Sequence, residues 1–393
     1  MLANAAHVAY MTTCLAYLAL HRVALHARVE NTAAPSQLPM MARLRAAVAA
    51  LAQQSNQDLT LDALLSGSPR SQHDLSEGVY DQRVVKVRDM MPDDRHRARF
   101  LSAGGQYAGH WLGALPVVQW LVARPRHYQV ALCLRLGVGF ADLDEAVCGG
   151  CGAAHDIYGY HPSVCKAGNR GGLWSRRSSS LEHGLVRAAR QFRGLEAKLW
   201  GSARWWGQAA YDPVKKRFCK GDVVIENFHS PGVHLTLDAA ITCPAGAVAL
   251  RAGSANEVGV AAELRATKKF DKYLAIASAD GHSFKAAVME RFGACCDSLS
   301  GFIKLIGGDG DRDWRESDYN FSGRSRSTWA AQHIIFAGVL ADAAMVVDVM
   351  DADAHGCSLG DAGARGDGHA RGGGRKGGGQ REYGGAFGYE RGV

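Results

Sequence analysis

The N-terminal part of the sequence lacks an uninterrupted apolar run of bilayer length. Its most hydrophobic N-terminal stretch, HVAYMTTCLAYLALHRVALHARV from His7, is interrupted by His21, Arg22 and His26. Its uncharged part falls short of the roughly 20 residues that a spanning helix needs. A buried amphipathic helix is expected there, with no membrane span. The first residues also lack the basic n-region of a secretory signal. Seven of the ten cysteines are dispersed: Cys14, Cys133, Cys219, Cys243, Cys295, Cys296 and Cys357 are scattered through apolar contexts. That distribution argues against a disulfide framework and for reduced thiols in the nucleus or cytoplasm. The net charge of +7 is modest. It leans towards a polyanionic partner, DNA or RNA, without requiring one.

What is present suits folded modules. The chain has 393 residues, 47% of them hydrophobic, enough for two or three cores. Residues 1–99 read mostly as helix, through repeats such as ARLRAAVAALAQQ. Residues 100–147 read as a helical linker, apolar segments broken at Pro116 and Pro125. Helical periodicity returns from Leu181 to Leu199. GDVVIENF and HLTLDAAITC, joined through HSPGV, then read as a β-hairpin. GVAAELRATKKFDKYLAIASA reads as a helix, FKAAVMERFG as a short strand and TWAAQHIIFAGVLADAAMVVDVM as a closing helix within 306–355. In the last segment, 356–393, 15 of 38 residues are Gly, with Arg interspersed. No core can form from that composition, and a disordered tail is expected.

One short stretch carries a metal pattern. CGGCGAAHDIYGYHPSVC, within 148–170, sets Cys148 and Cys151 with two residues between them and His161 and Cys165 with three between them. Zinc takes four such ligands in a tetrahedron, and a Cys-x2-Cys turn supplies two of them. His155 rivals His161, and ordinary loop thiols are the alternative to any metal. With four protein ligands the site would be structural, because no position is left for water.

A second group carries potential chemistry. Asp222 opens one strand of the hairpin and Asp238 lies within the other. A hairpin can bring both carboxylates to one sheet edge, where they suit a hard cation such as Mg2+. Such a cation can activate water for phosphodiester cleavage. Lys269 and Lys272, at i and i+3 on the following helix, could lie over that edge and neutralise charge building on the phosphate. Taken singly, a strand-end Asp is usually a turn cap and helix lysines are usually a solvated face.

The ordered set resembles the C-terminal region of site-specific non-LTR retrotransposon proteins, in which a reverse transcriptase is followed by a linker, a CCHC zinc knuckle and a restriction-like endonuclease. The matching residues are Trp111–Pro116 (WLGALP), the four candidate zinc ligands, Arg176-Arg177, Gly221–Val224 (GDVV), Leu237–Ala240 (LDAA), Lys269–Tyr273 (KFDKY) and Met289–Gly293 (MERFG), with the closing helix from Thr328. They span about residues 100 to 350. The resemblance implies an α/β (α+β mixed sheet) fold with a PD-(D/E)xK restriction-like endonuclease core over 171–305. It also implies Mg2+-dependent nicking of DNA, a zinc knuckle that helps grip nucleic acid, and a linker packed on a polymerase domain absent from this chain. Residues 1–99 would be a thumb remnant.

The chain departs from that pattern in four places. Gly221 precedes the first acid, where the family has Pro or another small residue. Ala240 stands two residues past the second acid, so the lysine must come from the helix. Ser178-Ser179 replaces His-Asn after the paired arginines, and the adjacent acids Asp93-Asp94 lie in polar MPDDRHR rather than in a polymerase hairpin. A nuclease module, active or decayed, is therefore expected, with a non-catalytic nucleic-acid-binding protein as the alternative.

Overall fold

The computed structural model describes residues 45–46, 49, 53, 71–144, 146–148, 151–165, 173–199, 211–212, 217–218, 221–308 and 325–354. The amphipathic helix expected near His7 and the glycine-rich tail lie outside these, as do Cys14, Cys219 and Cys357. The chain divides into two units, Met1–Met91 and Pro92–Val393. The first contains helix α1 (Ser71–Asp89).

The second unit begins with α2 (Asp94–Ala103), whose N-terminus is capped by Asp93: the carboxylate accepts the His96 backbone N–H at 2.9 Å. The Asp93-Asp94 pair is thus a helix start. Around Pro116 the chain makes only short 3-10 turns, His110–Gly113 and Gln119–Leu121. Pro125 begins helix α3 (Pro125–Leu136) rather than breaking one, because the first turn has no use for its missing N–H. The segment expected to be a helical linker is therefore helical mainly over α3. It sends Trp111, Leu121 and Leu143 into the same core as the elements that follow.

Those elements are α4 (Tyr160–Val164), α5 (Leu173–Arg193), β1 (Ala197–Leu199), β2 (Tyr211–Asp212), β3 (Arg217–Phe218), β4 (Val223–Ser230), β5 (Val233–Thr242), α6 (Ala247–Arg251), α7 (Val260–Ala279), β6 (Ser283–Glu290), α8 (Asp297–Gly307) and α9 (Arg326–Ala354). The helical reading of Leu181–Leu199 overran: Gly194, at φ +61°, stops α5, and Ala197–Leu199 pairs with β4 instead. The strand pair, the Ala-rich helix, the short strand and the closing helix lie where their periodicity puts them.

The architecture is mixed α/β, built on a four-stranded sheet of order β1-β4-β5-β6. β1, β4 and β5 are antiparallel neighbours; β6 lies parallel to β5 from Leu235↔Ser283 to Thr242↔Glu290. A parallel neighbour needs a crossover, and α7 supplies it. The crossover is fastened at its start, where the buried Glu290 carboxylate at the end of β6 accepts the Ala261 N–H of α7 at 2.9 Å. A carboxylate at a helix N-terminus satisfies donors that the helix itself leaves open. β2 and β3 form a separate two-stranded ribbon.

α9 packs along α5 and α3. By length and composition it is the one helix among the described residues that could cross a membrane, but 78% of the window that qualifies is buried inside the protein. It is a core helix in this structure. It approaches its neighbours closely at glycines: a Cβ on Gly184 of α5 would lie 2.8 Å from Ala337 Cβ, and one on Gly338 would lie 2.3 Å from Met289 Sδ of β6.

At the centre of this packing sits Asp342 of α9, wholly buried between two arginines. Arg177 of α5 donates to Asp342 Oδ1 at 2.9 Å and to the Ile241 carbonyl at 2.9 Å. Arg291, just past β6, donates to Asp342 Oδ2 at 2.8 Å and to the Gly159 carbonyl at 2.7 Å. Burial opposes the charge on Arg291, but Asp342, helped by the nearby Cys243 and Tyr160, outweighs it and raises the guanidinium above its ordinary range. Of the paired arginines seen in the sequence, Arg177 is thus a structural tie. Arg176 lies at the surface, 3.2 Å from Asp348.

Candidate functional site

Asp222, Asp238 and Lys269 meet in one cleft of about 570 Å3 between α5, the β4–β5 pair and α7. The hairpin register brings the acids together: Val223 pairs with Leu237, and the Asp222 N–H donates to the Leu237 carbonyl at 2.8 Å. Carried one residue further, that register sets Asp222 opposite Asp238. Asp222 Oδ2 also accepts the Ala239 N–H at 2.7 Å. Lys269, on the buried side of α7, reaches back over the strand to Asp238 Oδ1 at 2.6 Å and to the Ala239 carbonyl at 3.1 Å. Lysine thus arrives from the helix, and Ala240 leaves β5 apolar at the position two past the acid.

Lys272 does not join this contact. It lies at the rim, where its ammonium touches the Tyr273 hydroxyl and sits 4.1 Å from the centroid of that ring. Arg265 and Lys268 share the exposed face of α7 and line the same cleft. Ser175, Ser178, Ser179 and Trp174 line the α5 side. The serines that depart from the resemblance therefore face the candidate chemistry.

Sequence reasoning missed one acid. Glu182 of α5 lines the cleft, and burial, followed by the Asp238 charge, pushes it up to about 7. Asp222 is raised further, to about 9, first by burial and then by the hydrogen bond and charge of Asp238. Burial, with the Asp238 carboxyl opposite, therefore keeps Asp222 protonated at neutral pH.

The second cluster is the cysteine one. Cys148, Cys151, His161 and Cys165 bring their ligand atoms within 4.8 Å of one another, with Cys148 Sγ 3.7 Å from Cys165 Sγ and Cys151 Sγ 3.3 Å from His161 Nε2. Thiolates around a tetrahedral zinc, with Zn–S about 2.3 Å, stand about 3.8 Å apart. The cluster could hold a metal such as zinc. His155 stays outside it, with its ring edge-on to His161 at 4.9 Å.

The backbone shapes both halves of that cluster. The Gly152 N–H donates to the Cys148 carbonyl at 2.8 Å, with Gly152 at φ +74°. Asp156 then gathers the backbone N–H groups of Tyr158, Tyr160 and His161 at 3.1, 2.9 and 2.6 Å, presenting α4 and its histidine. The Cys151 thiol is held below its ordinary range, first by a backbone hydrogen bond at Ala153. All seven cysteines among the described residues are free thiols.

Set beside known proteins, the chain matches no family model, and no curated protein matches it.

Proposed function

We propose that the chain is a metal-dependent nucleic-acid endonuclease module of the retroelement type, with a restriction-like core and a structural zinc knuckle. The observation that carries this reading is the convergence of Asp222, Asp238 and Lys269, from three elements, on the floor of a single cleft with a cationic rim. The sheet supports it as well, since the order helix, three antiparallel strands, crossover helix and parallel strand gives a mixed central sheet flanked by helices.

In this reading Asp222 and Asp238 would be the oxygen donors for Mg2+, with Glu182 lining the same cleft. The bound cation would supply positive charge at the phosphate and a more acidic water. Asp222 would have to give up its proton to serve as a ligand, so cation binding would be favoured by rising pH. Lys269 stays fixed by Asp238 and the Ala239 carbonyl, so its ammonium needs no reorganisation to meet charge developing on the phosphate oxygens. Lys272, at the rim, meets flanking phosphates. Cys148, Cys151, His161 and Cys165 would hold zinc in a structural role, joining the Cys148–Cys151 turn to α4.

Nicking of supercoiled plasmid DNA with Mg2+ tests the proposal. Asp238→Ala is expected to lower the nicking rate at least about 100-fold. Equal rates for wild type and Asp238→Ala would overturn the catalytic assignment. If the wild type retards DNA on a gel without nicking it, the chain is a non-catalytic nucleic-acid-binding protein, a role for which the cysteine cluster and the basic balance would suffice.

A further inference from the structure

The proposed cleavage leaves open what form of nucleic acid enters the cleft. Three observations bear on it. First, the groups that would meet the scissile phosphate lie below the surface: Asp238 and Lys269 are 7% and 6% exposed. A phosphodiester must enter the cleft to reach them. The cleft volume of about 570 Å3 is that of a site for one small ligand, on the scale of a nucleotide or two rather than of a duplex.

Second, the cations beside the cleft run along one line. Arg265, Lys268 and Lys272 are spaced i, i+3 and i+7 on the exposed face of α7. Among the described residues neither Arg265 nor Lys268 makes an ion pair. Facing them, Ser175 and Ser178 offer hydroxyls from the first turns of α5. A single row of cations opposite hydroxyls tracks one backbone.

Third, an aromatic side chain stands at the cleft wall. The indole of Trp174 is half-buried and held by its Nε1–H, which donates to the Pro162 carbonyl at 3.4 Å. Pro162 follows the candidate zinc ligand His161, so the cysteine cluster and the indole share one short support. An aromatic surface beside a cationic groove suits stacking by an unpaired base. Bases within a duplex are already stacked on their neighbours and must be extruded before they can use it.

We propose that the cleft binds a single, unpaired nucleic-acid strand, its phosphates along Arg265, Lys268 and Lys272 and one base stacked on Trp174. This rests on the nuclease reading for its biological sense but not for its test, because binding is measured without cleavage. Fluorescence anisotropy of a labelled 12-nucleotide oligomer (about the footprint of one such groove) is compared with the same sequence as a blunt duplex. Both are measured with the full chain, zinc-loaded, in Mg2+-free buffer. The single strand is expected to bind at least about tenfold tighter than the duplex.

Trp174→Ala should weaken single-strand binding at least about fivefold and leave duplex binding unchanged. Trp174→Phe, which keeps a stacking face but loses the hydrogen bond to Pro162, should restore most of the affinity. Arg265→Ala with Lys268→Ala should weaken binding and reduce the salt dependence by about 1.4 in logarithmic slope, two phosphates' worth. Equal or tighter binding of the duplex would overturn the proposal. So would unchanged single-strand affinity in Trp174→Ala, or failure of Trp174→Phe to recover it while zinc content and circular dichroism match wild type. Loss of nicking activity with this pattern intact would overturn only the catalytic reading.

Discussion

Replacing Asp342 by alanine removes the one anion between two buried cations. The side chains of Asp342 and Arg291 are fully buried, and that of Arg177 is 6% exposed. Breaking a buried ion pair by deleting one partner costs about 3–5 kcal/mol, chiefly because the surviving charge stays buried. Here two guanidiniums are stranded, and Arg177 Nη1 and Arg291 Nε lose their acceptor. The loss should therefore reach about 5 kcal/mol, against a total stability on the order of 5–15 kcal/mol. Asp342→Ala should unfold at much lower guanidinium concentration, as followed by circular dichroism and tryptophan fluorescence, or fail to accumulate as folded protein. A triple variant, Arg177→Met, Asp342→Leu and Arg291→Met, removes all three charges and should recover most of the loss. A midpoint for Asp342→Ala within about 1 kcal/mol of wild type, at unchanged slope, would refute the assignment of this triad as the tie between α5, α9 and the end of β6.

Other perturbations give distinct readouts. Cys148→Ser should abolish stoichiometric zinc in metal analysis and lower Tm by on the order of 10 °C, whereas His155→Ala should keep the metal; zinc retained by Cys148→Ser would remove that residue from the ligand set. His333, whose Nδ1 accepts from Trp120 Nε1 at 3.1 Å, is depressed to about 4 by burial and then by the Arg187 charge. An unfolded histidine takes its proton near pH 6.5, so this contribution is intact above about pH 6.5 and is lost as pH falls through about 4. The loss amounts to about 3 kcal/mol. Urea titrations at pH 7 and pH 4 should show a smaller acid loss in His333→Gln, and identical pH dependence in the two proteins would contradict the reasoning. Gly184→Leu should cost about 1–3 kcal/mol or more by wedging α5 away from Ala337, and a wild-type melting temperature would show that the helices yield there.

The residues legible in the sequence were those with short-range spacing. The hairpin and α7 announced themselves by period, and the cysteine cluster by two tight pairs within eighteen residues. Asp222 and Asp238 could be joined because a hairpin makes register local. Glu182 could not, because it sits forty residues before Asp222 on a helix whose alignment with the sheet depends on α9. The Arg177–Asp342–Arg291 triad was equally hidden, spanning 165 positions between Arg177 and Asp342. α9 was recognised as a helix, but its apolar sequence alone could not distinguish a core element from a peripheral one. That difference is set by which surfaces close around it.

The parallel pairing of β5 with β6 has a kinetic consequence. Asp222 and Asp238 can meet as soon as the hairpin forms, a local event. Lys269 joins them only once the α7 crossover has closed and β6 has docked, because the Glu290 cap that fixes the start of α7 lies at the far end of β6. Non-local parallel pairing is slow compared with hairpin formation. The cation–acid contact should therefore be among the last features to mature, and a chain halted before that step would hold two acids without their lysine.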